Sequence, residues 1–568
     1  MATSTKSVHA SDARTVIMPP SNYAGGWSTF RVIALVLLAA ITLRAFTFDT
    51  AGLDWDESLY IVIAQQWLHG DVPYVAVWDQ HPMGLPALFA AAQFVIGDGL
   101  LAARILALLA VTGTATLLYA TLANIGERLG GALGAFLYLL YMSRPDGLAA
   151  NTEVINNLCI TAASALLFSE MLRPAQALRT GRLFAAALLF GIGLQIKYVV
   201  LPEAVSLCCL VLVRAWRGST GTPRVAGLAG LAMLGGILPT VAATLYFWWA
   251  GALQPYLDAN LFANAAYLSV PLTWGTTLSR LRYGLLPIAA LLPVPLLLVA
   301  LQRNEPTRRF GVLMLWLTVW LIAAAVDVAL PLKFWKHYFN ALLPPLALAA
   351  GLAAALLADG LRRRRPWFAF AAIGCLAIPA VLLMVKHLAD SRSIERPNVP
   401  RAIAERIRQA GTDGRDIYVF NYDPLVYSYA DAVPPTRFVL GIELADFDMS
   451  SGAMPLREVD RILQRMPDWI VLAEPSPYAF SPHIWDQLNE TLRGYRLDEK
   501  WQEHDYIQPP IEVRLYRRLS NRSVSGSRAG RGPANTKQGS EIGSDHHAQK
   551  LRQVGIVGQH GAHVDRAI

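Results

Sequence analysis

Apolar runs of about 17 to 25 residues recur along the first two-thirds of this chain, the length a helix needs to cross a hydrocarbon core of about 30 Å. Few soluble folds tolerate such a pattern. The 568-residue sequence is 54% hydrophobic and only 16% charged, against about a quarter charged in soluble domains. The fold class that follows is an α-helical polytopic membrane protein, with about eleven spans. They are expected at Trp27–Phe46, Leu100–Ala123, Gly130–Tyr141, Val154–Leu172, Arg182–Val199, Val200–Trp216, Val225–Trp249, Tyr283–Leu301, Phe310–Leu330, Tyr338–Leu357 and Trp367–Val385. The first run lacks a small-residue cleavage site after it, so it is expected to stay as a span rather than leave as a signal peptide.

The net charge of +8 would raise the question of nucleic acid in a soluble protein. Here the arginines sit in short connectors between apolar runs, and topology accounts for them better; no nucleic-acid partner is expected. One set, counting the N-terminal tail with alternate connectors, holds Lys6, Arg14, Arg128, Arg173, Arg179, Arg182, Arg214, Arg217, Arg224, Arg303, Arg308, Arg309 and the run Arg362 to Arg365. The first long loop of the other set, Phe48 to Met83, has no Lys or Arg and carries Asp49, Asp54, Asp56, Glu57, Asp71 and Asp79. Because cytoplasmic loops are the basic ones, the N-terminus is expected inside and this loop outside. The division expected is a cytoplasmic tail at 1–26, a membrane domain at 27–387 with an external acidic loop at 47–84, an external α/β domain at 388–518 and a disordered tail at 519–568.

In the α/β domain, strands are expected at Ile417–Asn421, Arg437–Leu440, Trp469–Ala473 and Glu512–Tyr516, with helical patterns at Ala402–Ala410, Leu456–Met466 and Ile484–Leu492. Cys159, Cys208, Cys209 and Cys375 all fall in apolar runs without metal-ligand spacing. They read as small buried hydrophobes.

The acidic loop opens a helical pattern: after Asp54-Trp-Asp-Glu57, the residues Leu59, Val62, Ile63 and Trp67 fall at helix spacing, and Gly70 can end it. A short amphipathic helix on the outer membrane face is the expectation, with Asp56 as N-cap and Glu57 in the first turn. Capping alone would explain the acids. A carboxylate at this boundary can also act as a general base on an acceptor hydroxyl, with a lipid-borne substrate delivered from the bilayer.

The ordered motifs Asp56-Glu57, Gly70-Asp-Val-Pro-Tyr74, Trp78-Asp-Gln-His-Pro-Met-Gly84 and Ala103-Arg104 resemble the first external loop and second helix of GT-C glycosyltransferases. The bacterial protein O-mannosyltransferase, aminoarabinose transferase and dolichyl-phosphate-mannose transferase branch is the most similar. The likeness continues at Ala150-Asn-Thr-Glu153, at Lys197 in Gly191-Ile-Gly-Leu-Gln-Ile-Lys197, at Asn264 and Tyr267, and at Lys336-His-Tyr338 before Pro344-Pro345. It spans roughly Thr29 to Leu357. Where relatives often have Lys-Pro-Pro, this chain has Gln80-His-Pro-Met83, so His81 stands where a phosphate-facing lysine is common.

The resemblance implies transfer, with inversion, of a sugar from a polyprenyl-phosphate carrier to a lipid, glycan or protein acceptor on the outer side of a bacterial inner (plasma) membrane. Carried over by position, Asp56 is the base and Glu57 its support. His81, Arg104, Glu153, Lys197, Lys336 and His337 are candidates for substrate and phosphate. No metal or other cofactor is expected. Each cation has a plainer reading: Arg104 can snorkel to the surface and Lys336 and His337 can be interfacial, whereas Lys197 in an apolar run is harder to dismiss. Glu153 caps a span or lines the cavity, and Glu203 and Asp327 can pair with such cations. A transporter or lipid-linked-sugar flippase is the competing class, though no internal repeat is apparent. A non-catalytic assembly subunit is a third.

Overall fold

The computed structural model describes residues 29–51, 53–218, 221–269, 271–302, 308–362, 378, 381–382, 385, 398–411, 416–445, 455–476, 478, 480–503 and 511–519. The expected tail at 1–26, all of the expected tail 519–568 but its first residue, all but a few positions of the span Trp367–Val385, and Cys375 lie outside the described residues.

In chain order the helices are α1 (Thr29–Arg44), α2 (Trp55–Leu68), α3 (Gly84–Ile96), α4 (Gly99–Ala123), α5 (Arg128–Tyr141), α6 (Pro145–Leu148), α7 (Thr152–Met171), α8 (Thr180–Leu194), α9 (Leu201–Arg217), α10 (Thr222–Trp249), α11 (Leu253–Leu257), α12 (Asn264–Ser269), α13 (Trp274–Leu285), α14 (Val294–Gln302), α15 (Arg308–Ala329) and α16 (Leu343–Arg362). Among the described residues, seven segments are long and apolar enough to cross a membrane: Phe30–Thr47, Gly99–Ala123, Thr152–Met171, Tyr198–Arg217, Thr222–Trp249, Phe310–Ala329 and Lys336–Ala358. The chain is a multi-pass membrane protein. Helices α3, α5 and α8 are apolar but shorter.

One expectation about the spans and one about the cysteines need correction. The run Tyr283–Leu301 is not one helix: α13 stops at Leu285, a 3-10 turn covers Leu286–Ile288, and α14 starts only at Val294. Pro287, Pro293 and Pro295 remove backbone donors through that stretch, which breaks the ladder despite its hydropathy. Cys209 is exposed and Cys159 and Cys208 are half-buried, so this group faces the outside of the bundle more than its core.

Helices α4, α5, α7, α8 and α16 pack as the centre of the bundle, and α10 lies on the outer side of α8 with most of its residues exposed. At one end the arginine-rich connectors close around the buried Glu170, whose carboxylate accepts from the Arg179 N–H at 2.9 Å and from Arg182 at 3.3 Å. The opposite end carries the acidic loop, the α8–α9 turn, the α15–α16 connector and a C-terminal sheet region.

That region contains α17 (Val399–Gln409), β1 (Ile417–Phe420), α18 (Leu425–Ala430), α19 (Pro455–Gln464), β2 (Trp469–Glu474), α20 (Pro482–Leu492), β3 (Tyr495–Glu503) and β4 (Ile511–Arg518). The sheet order is β1-β2-β4-β3, with β1 and β2 parallel and the other two pairings antiparallel. The expected strand at Arg437–Leu440 is a loop instead: the Arg437 carbonyl accepts from the Trp78 N–H at 2.8 Å, so its backbone is paired with the acidic loop and not with the sheet. Strand β3 was not expected, because its Arg-Leu-Asp-Glu-Lys-Trp-Gln stretch lacks an apolar alternation. As an edge strand with mostly exposed side chains it needs none.

The sheet region is fastened to the bundle at several points. Arg401 of α17 reaches Asp49 at 2.8 Å and Asp98 at 3.6 Å, and Gln65 and Gln66 of α2 donate to the carbonyls of Ser428 and Ala432. Helix α2 is therefore roofed as well as floored. Its residues from Glu57 to Ala64 are all buried, which corrects the expectation of a helix lying on the membrane face.

Candidate active site

The start of α2 differs from expectation in a way that matters chemically. Asp54, not Asp56, is the N-cap: its backbone is extended and its Oδ1 accepts from the Asp56 N–H at 3.0 Å. This satisfies an orphan donor of the first turn. Asp56 is thereby left in the first turn with its side chain uncommitted: it is half-buried, and its carboxylate accepts no hydrogen bond from the described residues. It lies within electrostatic reach of His81, Asp79, Lys197 and Glu153. Burial raises its pKa, with His81 pulling the other way. Burial first, and the Asp56 charge second, push Asp54 up to about 7.

The second element is the loop Trp78–Gly84. His81 Nδ1 lies 2.9 Å from Asp79 Oδ1 and 3.4 Å from the Tyr60 hydroxyl, while the Tyr74 hydroxyl donates to the His81 carbonyl at 2.9 Å. Burial pulls the imidazole pKa down, but the Asp79 charge and hydrogen bond outweigh it and hold His81 above its usual range. The loop is pressed against the turn after α8. The Gly84 N–H donates to the Gln195 carbonyl at 2.6 Å, and a Cβ at Gly84 would collide with that carbonyl. Only glycine permits the approach that brings His81 beside the segment holding Lys197.

Lys197 sits in that turn, between α8 and the 3-10 turn Tyr198–Val200, so it is not inside a span as the apolar run suggested. Its ammonium is bonded to Glu153 at the start of α7 and lies 3.6 Å over the Tyr338 ring. His337 is half-buried against Tyr338 and within electrostatic reach of Glu153, Lys197 and Asp54. One cluster therefore holds Asp54, Asp56, Asp79, His81, Glu153, Lys197, His337 and Tyr338.

Other predicted residues lie elsewhere. Glu57 points away from Asp56: its Oε1 accepts from Arg104 at 2.7 Å and from the Ala150 N–H at 2.6 Å. Arg104 is 1% exposed and also donates to the carbonyls of Thr50 and Leu148. Arg44, which the sequence reading had not singled out, binds the carbonyls of Gly147 and Leu148 at 2.7 and 2.6 Å. The snorkelling alternative for Arg104 fails, since the guanidinium is buried and paired. Lys336 is half-buried with its ammonium 5.5 Å over the Tyr283 ring. Among the described residues neither Glu203 nor Asp327 forms an ion pair, though Asp327 is within electrostatic reach of Lys197: Glu203 accepts from Trp320 Nε1 at 2.8 Å, and the two carboxyl groups face each other.

The sheet region contributes to the roof. Tyr478 packs edge-on to Trp55 at 6.1 Å between centroids. Asp54, Asp56 and Glu443 are within electrostatic reach of its hydroxyl. Nothing in local periodicity signals these two residues. Among the described residues no group of three or more His, Cys, Asp or Glu is arranged to hold a metal ion.

This architecture matches solved structures. ArnT from Cupriavidus metallidurans bound to undecaprenyl phosphate aligns over 86% of this chain and 98% of its own, with 15% identity and a TM-score of 0.57. Its apo state aligns over 85% and 97%, with 16% identity and a TM-score of 0.57. The fold is that of the GT-C glycosyltransferases. The apo oligosaccharyltransferase of Archaeoglobus fulgidus, also of the GT-C class, aligns over 79% of this chain and 70% of its own at 11% identity and a TM-score of 0.52. No protein-family model and no curated protein sequence matches the chain.

The two raised groups predict a pH dependence for an activity in which both take part. A carboxylate accepts a proton only when ionised, so if Asp56 is the base, activity should rise with pH through a value above the ordinary carboxylate range of about 4. His81 carries charge only below its pKa, so if that charge is used, activity should fall as pH climbs through a value above about 6.5. A kcat/KM profile of His81→Lys checks the assignment. The falling limb should move to alkaline pH by about two units or more, towards the lysine range; a limb that stays in place shows that His81 does not set it.

Proposed function

We propose that the chain transfers a sugar from a polyprenyl-phosphate carrier to an acceptor at the outer face of a bacterial inner membrane, with Asp56 as general base. The observation that carries this reading is the uncommitted Asp56 carboxylate facing the same cluster as Lys197. The likeness to a fold solved with undecaprenyl phosphate supports the choice of donor. The acidic loop and sheet region are read as periplasmic and the N-terminus as cytoplasmic, in keeping with the arginines gathered at the opposite end.

In the reaction, the acceptor hydroxyl attacks the anomeric carbon as its proton passes to Asp56, and the sugar–phosphate bond breaks on the opposite side. Polyprenyl phosphate leaves with increasing negative charge. Lys197, held over Tyr338, and the His81 imidazolium meet that charge from fixed positions, which need no reorganisation as the bond breaks. Glu153 keeps Lys197 in place before the donor arrives. Glu57 and Arg104 hold the loop geometry that presents Asp56.

Lys197→Met tests the donor site. Its affinity for undecaprenyl phosphate, titrated on the full chain in neutral detergent, should drop about ten-fold or more, the loss of a charge-assisted hydrogen bond of about 1.5–3 kcal/mol. Unchanged affinity would place the donor phosphate elsewhere. In cells lacking the chain, one polyprenyl-linked sugar should accumulate while its envelope product disappears.

A further inference from the structure

Beside the catalytic cluster lies a second, larger cavity, of about 1010 Å³, that the proposed chemistry does not use. It is an open cleft lined by segments of the acidic loop after α2 (70–76), the α10–α11 connector (250–252) and the sheet region (433–438 and 457–461). Its volume reaches the upper end of the usual ligand-site range of about 300–1,000 Å³.

Its charges are uneven. Arg461 is committed to Glu458, bidentate at 2.6 and 3.0 Å, and to the Pro435 carbonyl. The guanidiniums of Arg437 and Arg457 form no ion pair or hydrogen bond with the described residues; Arg437 lies against the neighbouring Phe438 ring at 4.7 Å and within electrostatic reach of Glu443 and Glu458. Against them stands one further carboxylate in the lining, Asp71. The rest of the lining mixes polar and apolar groups, with Val75 52% and Val433 63% exposed.

Two features locate this cavity. Trp248 and Trp249, 66% and 79% exposed, end α10 immediately before the lining connector. Exposed tryptophans at a helix end mark the headgroup level of a bilayer. On the other side, the Arg437 carbonyl is bonded to the Trp78 N–H, and Trp78 opens the loop that carries Asp79 and His81. A ligand in the cavity thus sits at headgroup depth and one loop away from the base.

We infer that this cavity binds the anionic headgroup of an outer-leaflet lipid through Arg437 and Arg457, and that the acceptor belongs to this class. The identification as acceptor rests on the transferase reading above; the lipid site itself does not. A lipid places its headgroup where the tryptophans lie and its acyl chains along the apolar surface of α10, whereas a polypeptide has no reason to enter at that depth.

The test is a titration of the full chain in neutral detergent with dihexanoyl phosphatidic acid, dihexanoyl phosphatidylcholine, inorganic phosphate and hexaglutamate. The wild type should bind phosphatidic acid at least ten-fold more tightly than the other three. Arg457→Glu, at an exposed position that leaves the fold alone, should abolish the preference, and Arg437→Gln should weaken it. Asp56→Asn should keep it, so loss of catalysis and loss of lipid binding are read separately. Equal binding of the two lipids, or a preference untouched by both arginine variants, overturns the site. Phosphate binding as tightly as the lipid reduces it to an anion site, and tighter binding of hexaglutamate points to a polypeptide; either result overturns the lipid. If envelope sugar is lost from the protein fraction and not the lipid extract in Arg457→Glu cells, the acceptor assignment falls.

Discussion

Asp56→Asn should leave the protein folded and inserted while transfer slows by about 10²- to 10⁴-fold, the usual contribution of a positioned general base. Asparagine fills the same volume and removes only the proton acceptor. The position tolerates the change because the Asp56 carboxylate accepts no hydrogen bond from the described residues, so no buried partner is orphaned. The cap is also untouched, since it is Asp54 that accepts from the backbone of the first turn. Donor binding should be close to wild type, because Lys197, Glu153 and Tyr338 are not altered. Initial rates in proteoliposomes, alongside thermal unfolding of the same preparation, check both halves. A variant that unfolds readily would return Asp56 to the structural role that capping first suggested.

The opposite pattern is expected at Arg104. Arg104→Leu leaves the Glu57 carboxylate buried without its 2.7 Å partner. Breaking a buried ion pair by removing one member costs about 3–5 kcal/mol, and loss of transfer should therefore track loss of folded protein. The double variant Glu57→Leu with Arg104→Leu removes both charges and should recover part of that stability, because well-packed apolar residues often replace buried pairs at little cost. Only part returns, since the Ala150 N–H and the carbonyls of Thr50 and Leu148 lose partners as well. Thermal unfolding of the three variants in one detergent measures the cycle. Should Arg104→Leu unfold like the wild type while donor binding collapses, Arg104 would be a phosphate ligand and not a brace.

These two outcomes divide an acidic pair that the sequence presents as one unit. Adjacent residues on a helix point about 100° apart, and which carboxylate meets an arginine and which meets the cavity depends on elements distant in the chain. Asp56 was legible because its loop is acid-rich, free of Lys and Arg and bounded by apolar runs. Lys197 stood out as an ammonium in an apolar run, although the structure assigns it to a turn between two helices. The service roles were not legible: Asp54 as the cap, Asp79 as the partner that charges His81, Arg44 as the second brace of the 147–148 loop.

The same distinction runs through the fold. Hydropathy located most of the bundle helices to within a few residues, because length and apolar content suffice in lipid. It failed at Tyr283–Leu301, where three prolines break an apolar run, and at α3, whose 13 residues are too few to register as a span. It also misread α2 as amphipathic, since the sheet region that roofs it comes more than 300 residues later. Edge strand β3 escaped for a related reason: its side chains face water on most positions, so its identity comes from backbone pairing with β4.

The central claim, that this chain consumes a polyprenyl-phosphate sugar by way of Asp56, is tested most directly by counting what the donor becomes. Purified full chain in proteoliposomes carrying the lipid-linked sugar that accumulates in deficient cells, together with an envelope lipid extract, should release one polyprenyl phosphate for each sugar transferred. Asp56→Asn should release almost none. Sugar that crosses the bilayer with its carrier bond intact, or release that proceeds equally in Asp56→Asn, would contradict the account.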